Sequence, residues 1–217
     1  MFIGHYSAAL VAASDKQSPK LGTLFVAAQL VDIGFFALVL TGGEAMRVTP
    51  GFTVMTPFDL YHMPYTHSLL GAAVWGAAFA ALLRLWGVSW RGAAIGGAVV
   101  LSHWFIDFMV HAPDLTLAGA PPKFGLGLWN HPMIAMPLEI AITAGALWLY
   151  LRATRPVGTS WAVPVFIAVL AALQAFNWFA PPPAAYDASV PISALIAYGV
   201  AFGLAAWVAR GRVFKGN

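Results

Sequence analysis

Six apolar stretches, each near the length of a membrane-crossing helix, recur along the chain at about 21–41, 67–87, 92–112, 132–152, 161–180 and 190–209. A helix rises about 1.5 Å per residue, so about 20 residues cross the ~30 Å of hydrocarbon in a bilayer. Only 9% of the residues are charged, whereas soluble domains carry roughly 25%. A water-soluble fold with this composition would leave large apolar patches in solvent. The expected fold is therefore all-α: one integral-membrane domain over residues 1–217, a polytopic bundle of about six transmembrane spans plus a short N-terminal half-helix. That half-helix is "MFIGHYSAALVAAS", apolar but too short to cross; it either enters the membrane and stops or lies at the interface. "TPGFTVMTPF", "APDLTLAGAPPKFG" and "APPPAAY" carry the turn residues of loops, and Pro137 and Pro164 fall inside spans as candidate kinks.

The basic residues give an orientation. Lys16, Lys20, Arg84, Arg91, Arg152, Arg155, Arg210, Arg212 and Lys215 fall on one side of the six spans, and only Arg47 and Lys123 on the other. Under the positive-inside rule the first side is cytoplasmic. The C-terminus is then cytoplasmic, and loops 42–66, 113–130 and 181–189 face outward. The basic residues are dispersed, which argues against a nucleic-acid partner. There are no cysteines, so disulfides and thiolate metal sites are excluded. Residues 1–14 do not have the basic start of a signal peptide.

Depth follows from counting along each helix from its nearest basic residue. Asp32 is 12 residues from Lys20, His103 is 12 from Arg91, Glu139 is 13 from Arg152 and His5 is 11 from Lys16. These four stand roughly 17–20 Å above the cytoplasmic boundary. His67 and Asp107 stand about 24–26 Å up, and His111, His131 and His62 reach the outer mouth. His103, Asp107 and His111 are spaced i, i+4, i+8 and share one helix face. In "HMPYTHSLL", Thr66 or a neighbour can cap the second span, leaving His67 in its first turn and aimed into the bundle. His62 alone reads equally well as an interfacial polar residue.

A carboxylate in hydrocarbon costs several kcal/mol unless it is paired. No Lys or Arg shares the depth of Asp32, so its available partners are imidazoles. Neutral imidazole and ionised carboxylate are the usual nitrogen and oxygen ligands of zinc and similar ions. The expected ligands are His5, Asp32, His67, His103 and Asp107, with His111 and His131 as further candidates. Glu139 or Asp59 is the expected base or proton relay. The expected cofactor is a divalent metal, one to three ions, with zinc ahead of manganese or iron. Two ions about 3.5–4 Å apart would suit the ligand number.

The order of motifs carries a resemblance. "GHYSA", "VDI", "HMPYTHSL", "LSHWFID" and "LGLWNHP" resemble the bacterial inner-membrane metal-dependent hydrolases, the LexA-binding, inner-membrane-associated type, over residues 3 to 132. That family has a GH start, a PDxDH-like element, HRGxTHSL and SHxxxD. Here the second element keeps Asp32 but has Gly34 in place of the second acid, and Met63 replaces the arginine of HRG. The pair His103–Asp107 is also similar, more distantly, to the HxxxD pairs of zinc-dependent phospholipase C.

The resemblance implies a bacterial inner (plasma) membrane protein and a metal-dependent hydrolase. Its site would open to the periplasmic side and take a phosphoester, small-molecule or lipid-like substrate among membrane lipids. A divalent ion supports such chemistry by lowering the pKa of its bound water to about 7. Trp75, Trp104 and Trp129 are candidates to line the approach, though tryptophan at interfaces is commonly an anchor. A serine hydrolase is disfavoured by the absence of GxSxG, and haem ligation by the carboxylates at the same depth. The competing functions are a metal or proton transporter and a non-catalytic accessory subunit with membrane-complex partners. Against transport, only Thr23 and Gln29 are polar between Lys20 and Asp32.

Overall fold

The computed structural model describes residues 1–158 and 161–215. A 3-10 turn, Ile3–His5, leads into α1 (Tyr6–Ala12). Then come α2 (Leu21–Thr41), the strands β1 (Ala45–Val48) and β2 (Phe58–His62), α3 (Leu69–Leu85) and α4 (Trp90–Val110). Strands β3 (Leu115–Thr116) and β4 (Lys123–Phe124) and a 3-10 turn, Leu128–Asn130, precede α5 (Pro132–Ala153). The chain closes with β5 (Thr154–Pro156), α6 (Ala162–Phe179), α7 (Ser189–Arg210) and β6 (Arg212–Phe214). The architecture is the expected all-α membrane bundle, with strands only in short pairs.

Among the described residues, α2, α4, α5, α6 and α7 are long and apolar enough to cross a membrane. The second expected span is shorter than its apolar run: α3 has 17 residues. Its start is set by Ser68, whose Oγ accepts a hydrogen bond from the Gly71 amide at 2.9 Å. His67 consequently stands just before the helix rather than in its first turn. At the other end Gly87 turns the chain away with φ +81°. Pro164 falls in the first turn of α6, where a missing N–H breaks no helical bond.

The expected half-helix is an inserted segment. Tyr6, Ala9 and Leu10 are fully buried, and the Tyr6 ring stacks on Phe25 of α2 at 4.2 Å. α3 and α4 cross with their backbones nearly in contact. A Cβ on Gly76 would stand 2.8 Å from the Gly97 carbonyl oxygen, and a Cβ on Gly97 equally close to that of Gly76. Only glycine allows this approach.

Helix direction alternates, so the loops gather at two ends. At one end β5 pairs with β6, Arg212 bonds Thr154, and Arg91 pairs with Asp15 at 2.5 Å. At the other end β1 pairs with β2 and β3 with β4, and Ser68 bridges to Thr116. This second end lies above the polar residues of the bundle.

Candidate metal centre

Four elements deliver the polar cluster. α2 contributes Asp32; the segment before α3, His67; α4, His103 and Asp107; and the N-terminal 3-10 turn, His5. His111, which terminates α4, joins from above. His5, His67, His103, Asp107 and His111 are all 3% exposed or less. Only the Asp32 side chain is partly open, at 15%.

Asp107 is the hub. Its Oδ2 lies 3.0 Å from His103 Nε2 and 3.6 Å from His67 Nε2. Its Oδ1 lies 3.1 Å from His5 Nε2, 3.5 Å from His111 Nε2 and 3.2 Å from the Met1 main-chain nitrogen. Asp32 Oδ1 lies 3.3 Å from His67 Nε2 and 3.4 Å from His103 Nε2, while its Oδ2 accepts from the Tyr198 hydroxyl at 2.9 Å. The His5 and His103 rings stack at 3.8 Å, only 3° from parallel.

Which ring nitrogen points inward is fixed from behind. His103 Nδ1 donates to the Ala28 carbonyl at 2.8 Å, since a carbonyl can only accept. His111 Nδ1 donates to Asp114 Oδ1 at 2.9 Å. For His67 the relay is longer. Glu44 accepts from the Tyr65 and Thr66 amides at 2.8 and 3.0 Å and from the Thr66 hydroxyl at 2.6 Å. With its proton committed to Glu44, Thr66 Oγ1 accepts from His67 Nδ1 at 2.9 Å. All three histidines therefore turn Nε2 toward Asp32 and Asp107. Donation of the outer N–H to a carboxylate or carbonyl is how metal-binding histidines are usually oriented.

His103 Nε2 sharpens the picture. It is buried within 3.4 Å of two carboxylates yet makes no hydrogen bond to either, or to any other described residue. A buried polar atom without a partner is costly in an apolar interior. Here it points with two anionic oxygens at a common space, the arrangement a cation resolves. Two groups have ligand atoms within 4.8 Å of one another: Asp32, His67 and His103, and His5, His103 and Asp107. These residues fit a divalent ion in donor type, count and orientation.

The remaining expected residues lie elsewhere. Glu139, expected at the depth of Asp32 and His103, instead has its Oε1 accepting from the Phe2 and Gly4 amides at 2.7 and 3.0 Å and its Oε2 from Gln174 at 3.1 Å. It straps down the turn that carries His5, with both oxygens engaged in hydrogen bonds. Asp59 is paired with Arg47 at 2.6 Å between β1 and β2, so it too is committed. His131 is exposed at the head of α5, and His62 is exposed on β2. Neither candidate ligand group among the described residues includes them. Sequence reading missed Glu44, Asp114 and Tyr198. "HAPD", an acid three residues after His111, was the available signal for Asp114; nothing local marks Glu44 or Tyr198.

Gly34, where the hydrolases that the sequence resembles carry a second acid, is closely packed. A Cβ there would stand 3.0 Å from the Trp75 ring and 3.3 Å from Thr66, so the place of a second acid is filled by neighbours. No family model, curated protein or solved structure matches the chain.

Proposed function

We propose that this chain is a metal-dependent hydrolase of the bacterial inner membrane, acting on a phosphoester or lipid-like substrate from the non-cytoplasmic side. The observation that carries the reading is the convergence of inward-turned Nε2 atoms on Asp32 and Asp107, where among the described residues no Lys or Arg side chain is paired with either carboxylate and the one cation is the Met1 ammonium at 3.2 Å. Asp32, His67 and His103 would hold the metal. Zinc fits this nitrogen and oxygen set, and manganese or iron are the alternatives. A bound divalent ion supplies Lewis acidity and an activated water.

The chain's own side chains do the rest. Glu44 and Thr66 hold His67 in one tautomer, and Ala28 does the same for His103. The Tyr198 hydroxyl keeps a proton against Asp32 Oδ2, beside the one partly open carboxylate. Burial of the other ligands keeps bulk water from them.

The surroundings favour an amphiphile. A groove of about 400 Å³ between α2 and α3 is lined by Val26, Leu30, Trp75, Phe79, Leu82 and Trp86 among others. It reaches Leu30 and Trp75, and Trp75 abuts Gly34, so the groove runs up to the level of Asp32. An apolar groove on membrane-facing helices accommodates an acyl chain while the polar end of a lipid meets the carboxylate. The basic residues gathered at the opposite end support a cytoplasmic position for that end under the positive-inside rule.

The test is metal content and turnover of the full chain purified in detergent. The expected result is bound zinc, manganese or iron, and hydrolysis of a phospholipid or generic phosphodiester that EDTA and His103→Ala both abolish. A folded, metal-free protein that stays metal-free after incubation with each ion would overturn the reading. Metal binding with no hydrolysis of either substrate class would leave a binding protein or accessory subunit instead.

A further inference from the structure

We infer that the centre is dinuclear, with Asp107 as the shared carboxylate: Oδ2 completes a site with Asp32, His67 and His103, and Oδ1 completes a second with His5 and His111. This rests on the reading that the cluster binds divalent cations. The two oxygens of Asp107 face different histidines. Oδ2 is 3.0 Å from His103 and 3.6 Å from His67, whereas Oδ1 is 3.1 Å from His5 and 3.5 Å from His111.

Donor valence separates the sites. Each Nε2 has one lone pair and can serve one ion, but a carboxylate can serve two. His103 belongs to both candidate groups by proximity, and its single lone pair faces the oxygens of Asp32 and Asp107 Oδ2. That leaves His5 and Asp107 Oδ1 without it; His111 supplies the missing imidazole, and the Met1 α-amino nitrogen stands at the same place, 3.3 Å from His5 Nε2 and 3.2 Å from Oδ1. Four imidazoles and two carboxylates exceed the four donors of a typical zinc site.

Charge points the same way. Asp32 and Asp107 face the ligands, Asp114 stands directly behind His111, and Glu44 stands behind His67 through the Thr66 hydroxyl. With Glu139, which holds the His5 turn, these make five carboxylates against one positive charge, the Met1 ammonium 3.2 Å from Asp107 Oδ1, and the difference of four is what two divalent cations balance. In a low-dielectric interior an unbalanced charge is heavily penalised. Each ion also gets its own outer carboxylate, Glu44 behind the first and Asp114 behind the second. Glu139, through the Phe2 and Gly4 amides, positions the turn carrying His5 and so acts on the second ion only.

The test is stoichiometry in the full chain, purified in detergent, loaded with zinc and freed of excess. Elemental analysis should give two zinc ions per chain in the native protein and one in His111→Ala and in His5→Ala. A single ion in the native protein overturns the dinuclear centre and leaves the metal-binding reading standing; no ion overturns both. Because either variant could fail to fold, the native protein is also loaded with manganese(II). Electron paramagnetic resonance should then show an exchange-coupled pair. Two manganese ions per chain giving only isolated six-line spectra would overturn the shared carboxylate.

Discussion

The inner helices α2 and α4 and the outer helices α6 and α7 are equally greasy but are used differently. The most apolar stretches of α2 and α4 are 50% and 44% buried within the protein, against 22% for both α6 and α7. α2 and α4 carry Asp32, His103 and Asp107. α6 and α7 have no acid or imidazole within their spans, and each sends one polar side chain inward, Gln174 to Glu139 and the Ile3 amide and Tyr198 to Asp32. Burial by protein, rather than hydropathy, decides where a membrane helix can hold charge. Lipid offers an anion no partner, whereas neighbouring helices offer imidazoles, hydroxyls and amides.

That comparison breaks most sharply at Asp107. Asp107→Ala removes the one residue every inner histidine approaches, and the expected outcome is loss of all bound metal by elemental analysis. Gly97→Val tests the packing that holds α4 in place. Its side chain would meet the Gly76 carbonyl, a backbone atom that cannot swing aside, and a loss of about 1–3 kcal/mol in stability is expected, read as a lower midpoint of thermal unfolding in detergent. Glu44→Gln leaves the fold intact but weakens the relay to His67. Metal affinity should fall about 10–100-fold in a competition titration with a chelator. On the outer pair, Phe176→Leu, 72% exposed, should change stability by less than about 0.5 kcal/mol and leave metal content unaltered. Equal metal loss in this variant and in Asp107→Ala would erase the distinction between inner and outer helices.

The smallest effect belongs to the exposed foot of α4. The Gln17 amide and, after it, Arg91 hold the Asp15 carboxyl below its usual 3.8. A depressed acid contributes stability above its unfolded value and loses it as pH falls through the folded one. The difference in unfolding midpoint between the native protein and Arg91→Ala should be slight at pH 6, shrink as pH drops below about 4, and diminish in high salt.

Much of the layout was legible because length and hydropathy act along one dimension. The first span was read as 21–41 and is Leu21–Thr41; the third was read as 92–112 and is Trp90–Val110. Counting from basic residues placed Asp32, His67, His103 and Asp107 in two adjacent layers, and they are in contact. The same count put Glu139 at their level, yet its carboxylate faces the Phe2 and Gly4 amides. Depth fixes height on a helix but not azimuth, and azimuth comes from packing. Glu44 and Asp114 lie in loops without periodicity, so no count could bring them behind His67 and His111. His131 was placed at the mouth, but its helix turns it out to solvent or headgroups. In the apolar run at 67–87 the helix begins only at Leu69 because a hydroxyl, not a change in hydropathy, starts α3.

The bond from His103 to the Ala28 carbonyl spans two helices, α4 and α2. If α2 slid by one turn, that carbonyl would be withdrawn and the ring would lose the anchor that aims its inner nitrogen. On the proposed reading of the cluster as a metal centre, cation occupancy and helix register would be two readings of one equilibrium. An ion held at a hundred times its dissociation constant would steady the interlocked register by about 2.7 kcal/mol, and stripping it would loosen the bundle from its middle outward.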